Sequence, residues 1–288
     1  MPHIADLLKN PQHRTTSFEF FPPKNDEAQE QLQQAITGLE PLHPDFISVT
    51  YGANGSARHF TFAATEFVKR ESSAVAMGHL TCVSQSVGDL KGAIASYKDI
   101  QVENILAVRG DPVGGPTAPW VKHPDGLDNA TQLVELVKSQ GDFCVGVAAF
   151  CDPHPETMNF ELDAKLLADK QRAGAEFAIT QLFFGAHKYF ELVERAAKWG
   201  CDFPILPGIM PVTNVNQIER FATLSGAALP ADLVERLEAV RDDPASVRAI
   251  GIEVAVDMCR ELLAGGAPGL HFFTQNRSKA TREIVEAL

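Results

Sequence analysis

The chain has no apolar run long enough to cross a bilayer. Its opening segment, MPHIADLLKNPQHR, carries too short an apolar stretch for a secretory leader. Basic residues are in the minority. Against 37 Asp+Glu there are 25 Lys+Arg, a net charge of −12, which argues against nucleic acid and anionic membranes as main partners. A local basic pocket for an anionic cofactor stays compatible with that balance. The five cysteines, Cys82, Cys144, Cys151, Cys201 and Cys259, form no CxxC pair and sit mostly in apolar runs. They read as free, buried thiols of a reducing compartment, so a cytoplasmic protein is expected. There is no GxSxG and no activating motif beside Cys151, which disfavours nucleophilic catalysis. HExxH and an early-strand HxH are also missing. His79, Asp111, His154 and His271 offer themselves as ligands without a recognised spacing, and no metal is expected.

What the chain does have is a repeated alternation. Apolar segments at about 15–21, 45–50, 74–80, 104–109, 143–150, 177–182, 203–207 and 269–273 are each followed by residues at helical spacing. Apolar rather than alternating strands imply a parallel sheet covered on both faces. Eight such units predict a closed (β/α)8 TIM barrel. The open doubly wound alternative would carry a glycine fingerprint after its first strand, and PPKNDE contains no glycine. No composition break marks a linker, so residues 1–288 are expected to form a single barrel domain. Its active site would lie at the C-terminal strand ends.

The first of those ends is SFEFFPP, residues 17–23, in which Glu19 stands among Phe18, Phe20 and Phe21 before two prolines end the strand. Desolvation there is expected to raise the carboxyl pKa and suit it to general acid work. The other strand ends supply Thr50, Tyr51, His79, Arg109, Gly110, Asp111, Phe150 with His154, Gln181, Gln217, and Thr274 with Arg277. Residues 112–125 form a Gly/Pro-rich loop with an exposed-looking Trp120, long enough to suggest a functional role. Asp163, Leu167 and Lys170 share one helix face, which suits a carboxylate for sugar hydroxyls and an ammonium for phosphate. Gln217 and Phe221 also lie one turn apart.

Together SFEFFPP, SVTYGAN, HLTC, LAVRGD, the HPE turn, ITQLFF, PGIMPV and HFFTQNR resemble the methylenetetrahydrofolate reductases, specifically the short bacterial type without a regulatory domain. The resemblance implies a barrel that holds FAD and reduces 5,10-methylenetetrahydrofolate with NADH or NADPH by ping-pong exchange, as a homo-oligomer. It implies Glu19 as the general acid toward N10, Asp111 as the carboxylate near flavin and pterin, and Gln181 as an amide shared by folate and nicotinamide. Phe221 would pack on both ligands, and Gln217 and Arg277 would meet folate. Thr50, Tyr51, Ala53, His79, Arg109, Gly110, Ala130, His154, Asp163 and Lys170 match flavin- or nucleotide-contacting positions. The chain departs from the pattern at Phe150, where tyrosine is usual, and at Leu166 and Asp169, where the enteric enzyme has Asn and Arg. Those departures keep open a flavin-free reductase with direct hydride transfer, and a non-catalytic folate-binding subunit is a separate alternative.

Overall fold

The strands are β1 (Thr15–Phe20), β2 (Phe46–Val49), β3 (Val75–Thr81), β4 (Asn104–Val108), β5 (Cys144–Ala149), β6 (Phe177–Thr180), β7 (Ile205–Leu206), β8 (Gly208–Ile209) and β9 (Gly269–Phe273). All pair in parallel, in the order β7-β6-β5-β4-β3-β2-β1-β9-β8. The computed structural model describes residues 2–51, 55–112, 114–116 and 118–288, the side chains of 55–57 excepted. Ala53 lies outside the described residues.

The expected seventh strand is two short ones. β7 pairs with β6 and β8 with β9, so consecutive segments complete the wall from opposite sides. Pro207 between them has no N–H to give, and its carbonyl accepts from His271 N at 3.0 Å. The Gly208 N–H turns to the Thr180 hydroxyl at 2.9 Å, where a ladder partner would otherwise stand. The barrel is thereby nearly closed.

Strand pleating divides each segment between two layers. Phe18 and Phe20 point outward into the core under the helices, while Phe46, Met77, Leu106, Phe177 and Leu206 fill the barrel interior. The covering helices are α2 (Asp26–Leu39), α3 (Gly55–Glu71), α4 (Val87–Asp99), α5 (Ala130–Ser139), α6 (Phe160–Arg172), α7 (Ala186–Lys198), α8 (Val215–Ser225), α9 (Ala231–Glu238), α10 (Pro244–Ala264) and α11 (Lys279–Glu286). Asn25, Asn129, Asn159 and Asn214 cap four of them, each side-chain oxygen accepting a first-turn N–H. These caps turn the chain sharply from strand to helix on the rim where a barrel carries its chemistry.

Before all of these comes α1 (Ile4–Leu8), which the sequence reading did not foresee. It buries Ile4, Ala5 and Leu8 against the interior cluster, and Ile4 N donates to Asn104 Oδ1 at 2.9 Å. Asn104 opens β4, so α1 closes the N-terminal end of the barrel. Five residues show too little periodicity to announce themselves as a helix.

Candidate active site

A cavity of about 940 Å3 opens at the C-terminal ends of the strands. Glu19, Thr50, Tyr51, His79, Arg109, Gly110 and Asp111 all line it, and so do Ala130, Phe150, His154, Asp163, Lys170, Gln181 and Phe221. Gln217 and Arg277 stand outside its wall, half-buried and exposed respectively.

At the floor, pleating turns Ser17 and Glu19 of β1 inward while their phenylalanine neighbours face the helices. The β1–β9 register sets Ser17 beside His271. Glu19 Oε2 lies 3.5 Å from Nε2 of His79 and 3.5 Å from Nε2 of His271. Among the described residues neither Nε2 has a hydrogen-bond partner, although both atoms are buried. His271 stacks on Phe46, and its Nδ1 is 2.8 Å from the Ser17 hydroxyl, which donates to the Leu270 carbonyl at 3.1 Å. With the one hydroxyl proton spent on Leu270, Nδ1–H must be the donor to Ser17, which leaves Nε2 bare. A single added proton then joins Glu19 to His271, carried by either partner.

The expected raised pKa of Glu19 is corrected by these neighbours. Burial pushes the carboxyl up, but His79 and His271 more than offset it and hold it below the ordinary range. Both histidines lie far along the chain, so the local phenylalanines gave no sign of them. His79 itself is pushed down to about 4, chiefly by burial, with Glu19 pulling it up. It is neutral at physiological pH. Gly78 fixes its backbone. The Tyr97 ring lies where a Cβ would sit, at 2.2 Å, and the Tyr97 hydroxyl donates to the His79 carbonyl at 2.7 Å.

Basic groups gather on the adjoining wall. Arg109 directly follows β4 and precedes Gly110, at φ +82°, where a Cβ would meet Val83 Cγ1 at 2.6 Å. That backbone is open only to glycine. The Arg109 guanidinium pairs with Glu156 and lies 4.7 Å over the Trp120 ring. Trp120 is thus half-buried and not the exposed residue expected, and its buried Nε1 has no hydrogen-bond partner among the described residues. Lys170 reaches inward from α6 to donate to the Ala148 carbonyl at 2.9 Å. Burial lowers its pKa to about 8, against the pull of Asp163.

Asp163 accepts from His154 N and from the Thr157 hydroxyl, both at 2.8 Å, so its carboxylate clamps the HPE turn. The sequence reading had reserved that carboxylate for a sugar. Gln181 turns its Oε1 to the N–H of Leu182 at 2.8 Å, which leaves its amide protons for a ligand. Asp111 is exposed on the cavity wall. Sequence reasoning missed Ser17 and Glu156 altogether, and it weighed His271 only as a metal ligand.

The sequence model of methylenetetrahydrofolate reductase matches residues 4–288. The chain is 36% identical over 273 residues to the 5,10-methylenetetrahydrofolate reductase of Pectobacterium carotovorum subsp. carotovorum, covering 94% of this chain and 89% of that one. It belongs to the methylenetetrahydrofolate reductase family. The Escherichia coli (strain K12) 5,10-methylenetetrahydrofolate reductase is 35% identical over 272 residues, with 94% and 90% covered. Methylenetetrahydrofolate reductase 1 of Schizosaccharomyces pombe is 33% identical over 291 residues, which are 99% of this chain but 48% of that one. Among solved structures, a protein from Clostridium thermocellum described as binding two copies of 5-methyl-5,6,7,8-tetrahydrofolic acid superposes with a TM-score of 0.66. It is 11% identical, and the match covers 98% of this chain and 96% of that one. A 2,3-dimethylmalate lyase superposes at 0.55, also 11% identical, over 99% and 86%. Likenesses this distant in sequence show the fold.

The three departures from the family pattern have definite settings here. Phe150 lies edge-on to the His154 ring, centroids 4.8 Å apart. Leu166 is partly exposed on the cavity wall, and Asp169 is engaged by Arg172. Among the described residues no helix is long and apolar enough to cross a membrane.

Proposed function

We propose that this chain reduces 5,10-methylenetetrahydrofolate to 5-methyltetrahydrofolate, using FAD and either NADH or NADPH, with the single barrel as the catalytic unit. The observation that carries the reading is the meeting of Glu19, Asp111 and Gln181 in one cavity with Arg109, His154 and Lys170. FAD, NAD(P)H and a homo-oligomeric assembly come from the family resemblance.

The donor set fits a flavin dinucleotide. The cavity is roomy and mixes apolar wall with two cations placed for a pyrophosphate, Arg109 as a fork and Lys170 as a point charge. Lys170 uses one of its three N–H donors on Ala148 and keeps two. The Thr50–Tyr51 and Gly110–Asp111 edges, which line the cavity, would hold the flavin ring. The chemistry that FAD contributes when bound is two successive hydride transfers, in from the nicotinamide and out to the folate. Donor and acceptor occupy the same cleft in turn, which is the ping-pong order.

The chain's own residues supply the rest. The Glu19–His271 pair, a carboxylate facing a bare imidazole nitrogen, takes up the proton that opens the imidazolidine ring at N10, and His79 presents a neutral ring to the other side of the carboxyl. The iminium formed on the folate is cationic, and the Asp111 carboxylate stands beside the cleft to stabilise it. The free amide protons of Gln181 meet the pterin or the carboxamide of nicotinamide. Phe221 offers a ring face to each in turn. Gln217 and Arg277, outside the wall, meet the part of folate that projects from the cavity.

The test is the purified protein's absorption spectrum followed by turnover. A yellow protein whose flavin bands bleach with NADH or NADPH and return on adding 5,10-methylenetetrahydrofolate is expected. A colourless protein that turns over the same substrates would shift the reading to direct hydride transfer. Folate binding without turnover would make the chain a binding subunit.

A further inference from the structure

The barrel end opposite the cavity carries a second group of chemistry-bearing side chains. His3 directly precedes α1, Cys144 opens β5, and Glu176 directly precedes β6. One ligand atom from each lies within 4.8 Å of the other two. Cys144 is fully buried, and His3 and Glu176 are half-buried at the surface of the same spot. Among the described residues no hydrogen bond joins the three side chains to one another. They converge without bonding.

Two of the three have neighbours that set their position. The Cys144 sulfur lies beside the backbone N–H groups of Ile4 and Ala5, which sets it next to the segment carrying His3. Glu176 is oriented by Lys138, whose Nζ donates to Oε1 at 2.9 Å and to the Phe143 carbonyl at 2.8 Å. Among the described residues Oε2 of Glu176 has no hydrogen-bond partner.

We propose that His3, Cys144 and Glu176 bind one zinc ion, with water completing a tetrahedron. A borderline-soft, d10 cation is the one that takes thiolate, imidazole and carboxylate together. Bonds of about 2.0–2.3 Å place tetrahedral ligand atoms roughly 3.3–3.8 Å apart. Closing from the present spread takes roughly 1 Å, by the same bond lengths. The Glu176 side chain and the His3 ring can supply that movement, with Cys144 held fixed in its strand. On binding, the thiol proton of Cys144 leaves to solvent and the sulfur binds as thiolate. The Lys138–Glu176 contact orients the carboxylate as an outer hydrogen bond does in known metal sites. The ion would pin the segment before β1 across the barrel floor. Its place far from the cavity makes the role structural.

The experiment uses the full chain, stripped with chelator, incubated with one equivalent of zinc chloride, desalted and assayed for metal. One zinc per chain is expected, together with a rise in melting temperature. Cobalt(II) in place of zinc should give a thiolate-to-metal charge-transfer band. His3→Ala should weaken zinc affinity at least tenfold and remove the thermal shift. Cys144→Ser should remove the charge-transfer band. Because His3 lies at the surface, His3→Ala folds even if Cys144→Ser is unstable. Substoichiometric zinc, an absent thiolate band, or an affinity unchanged in His3→Ala overturns the site. Reductase activity is not the readout.

Discussion

Glu19 and His271 face each other across the β1–β9 seam, with Oε2 3.5 Å from a buried Nε2 that has no other partner. Ser17, two residues before Glu19 on the same strand face, fixes the far nitrogen of that imidazole. The proposed acid is therefore a pair, and the pair depends on register. A one-residue slip of β1 would turn both Ser17 and Glu19 out of the barrel.

The second histidine at that carboxyl sets a pH dependence of stability. His79 stays neutral in the folded protein down to about pH 4, whereas in the unfolded chain it protonates near its ordinary value of 6.5. Unfolding thus takes up a proton between those values, and stability falls as pH drops through the interval. The loss is about 3 kcal/mol for a shift of this size. Glu19, also held below its ordinary value, adds a further loss as pH falls through its folded pKa. Urea titrations from pH 7.5 to 4.5 should show the decline, and His79→Gln should flatten its upper part.

Lys170 makes anion binding pH-dependent in a range where an ordinary lysine would not. Its charge is lost as pH rises through about 8. FAD affinity of the apoprotein, measured by fluorescence quenching, should weaken above pH 8 by up to about tenfold per pH unit. Lys170→Met should bind more weakly at pH 7 and show no such fall between pH 7 and 9.

Glu156 competes for the group that an anionic ligand needs. It pairs with Arg109 at the cavity wall, with 49% of its side chain exposed. Replacing that carboxylate by Glu156→Gln frees the guanidinium, and FAD or ADP should bind about threefold to tenfold tighter, as removal of an exposed ion pair allows. Trp120 under Arg109 gives a fluorescence signal for the exchange. Unchanged or weaker binding would mean that Glu156 helps the ligand more than it obstructs it.

The alternation of apolar strand and helix was legible because parallel strands buried on both faces need continuous apolar runs, and the asparagine caps marked where helices begin. The rim residues were legible for the same reason, since polar side chains closing apolar strands stand out. The electrostatics of Glu19 were not. Its phenylalanines are adjacent in sequence but face the helix layer, while the histidines that decide its protonation come from β3 and β9. The break at Pro207 was visible as proline, but not the division of its strand between two neighbours, which depends on barrel closure. Arg109 was read as an anion-binding group, yet its Glu156 partner sat in a turn read only for His154. α1 escaped because its five residues are helical through burial against the barrel floor and not through periodicity.

The most direct test is anaerobic stopped-flow on the wild type and Glu19→Gln, with the two half-reactions followed separately at the flavin band. Wild-type protein should be reduced by NADH or NADPH and then reoxidised by 5,10-methylenetetrahydrofolate. In Glu19→Gln the first step should keep its rate, and the second should slow by about a hundredfold or more, the contribution of a positioned acid. Equal slowing of both steps, or reoxidation at the wild-type rate, would contradict Glu19 as the acid of this site.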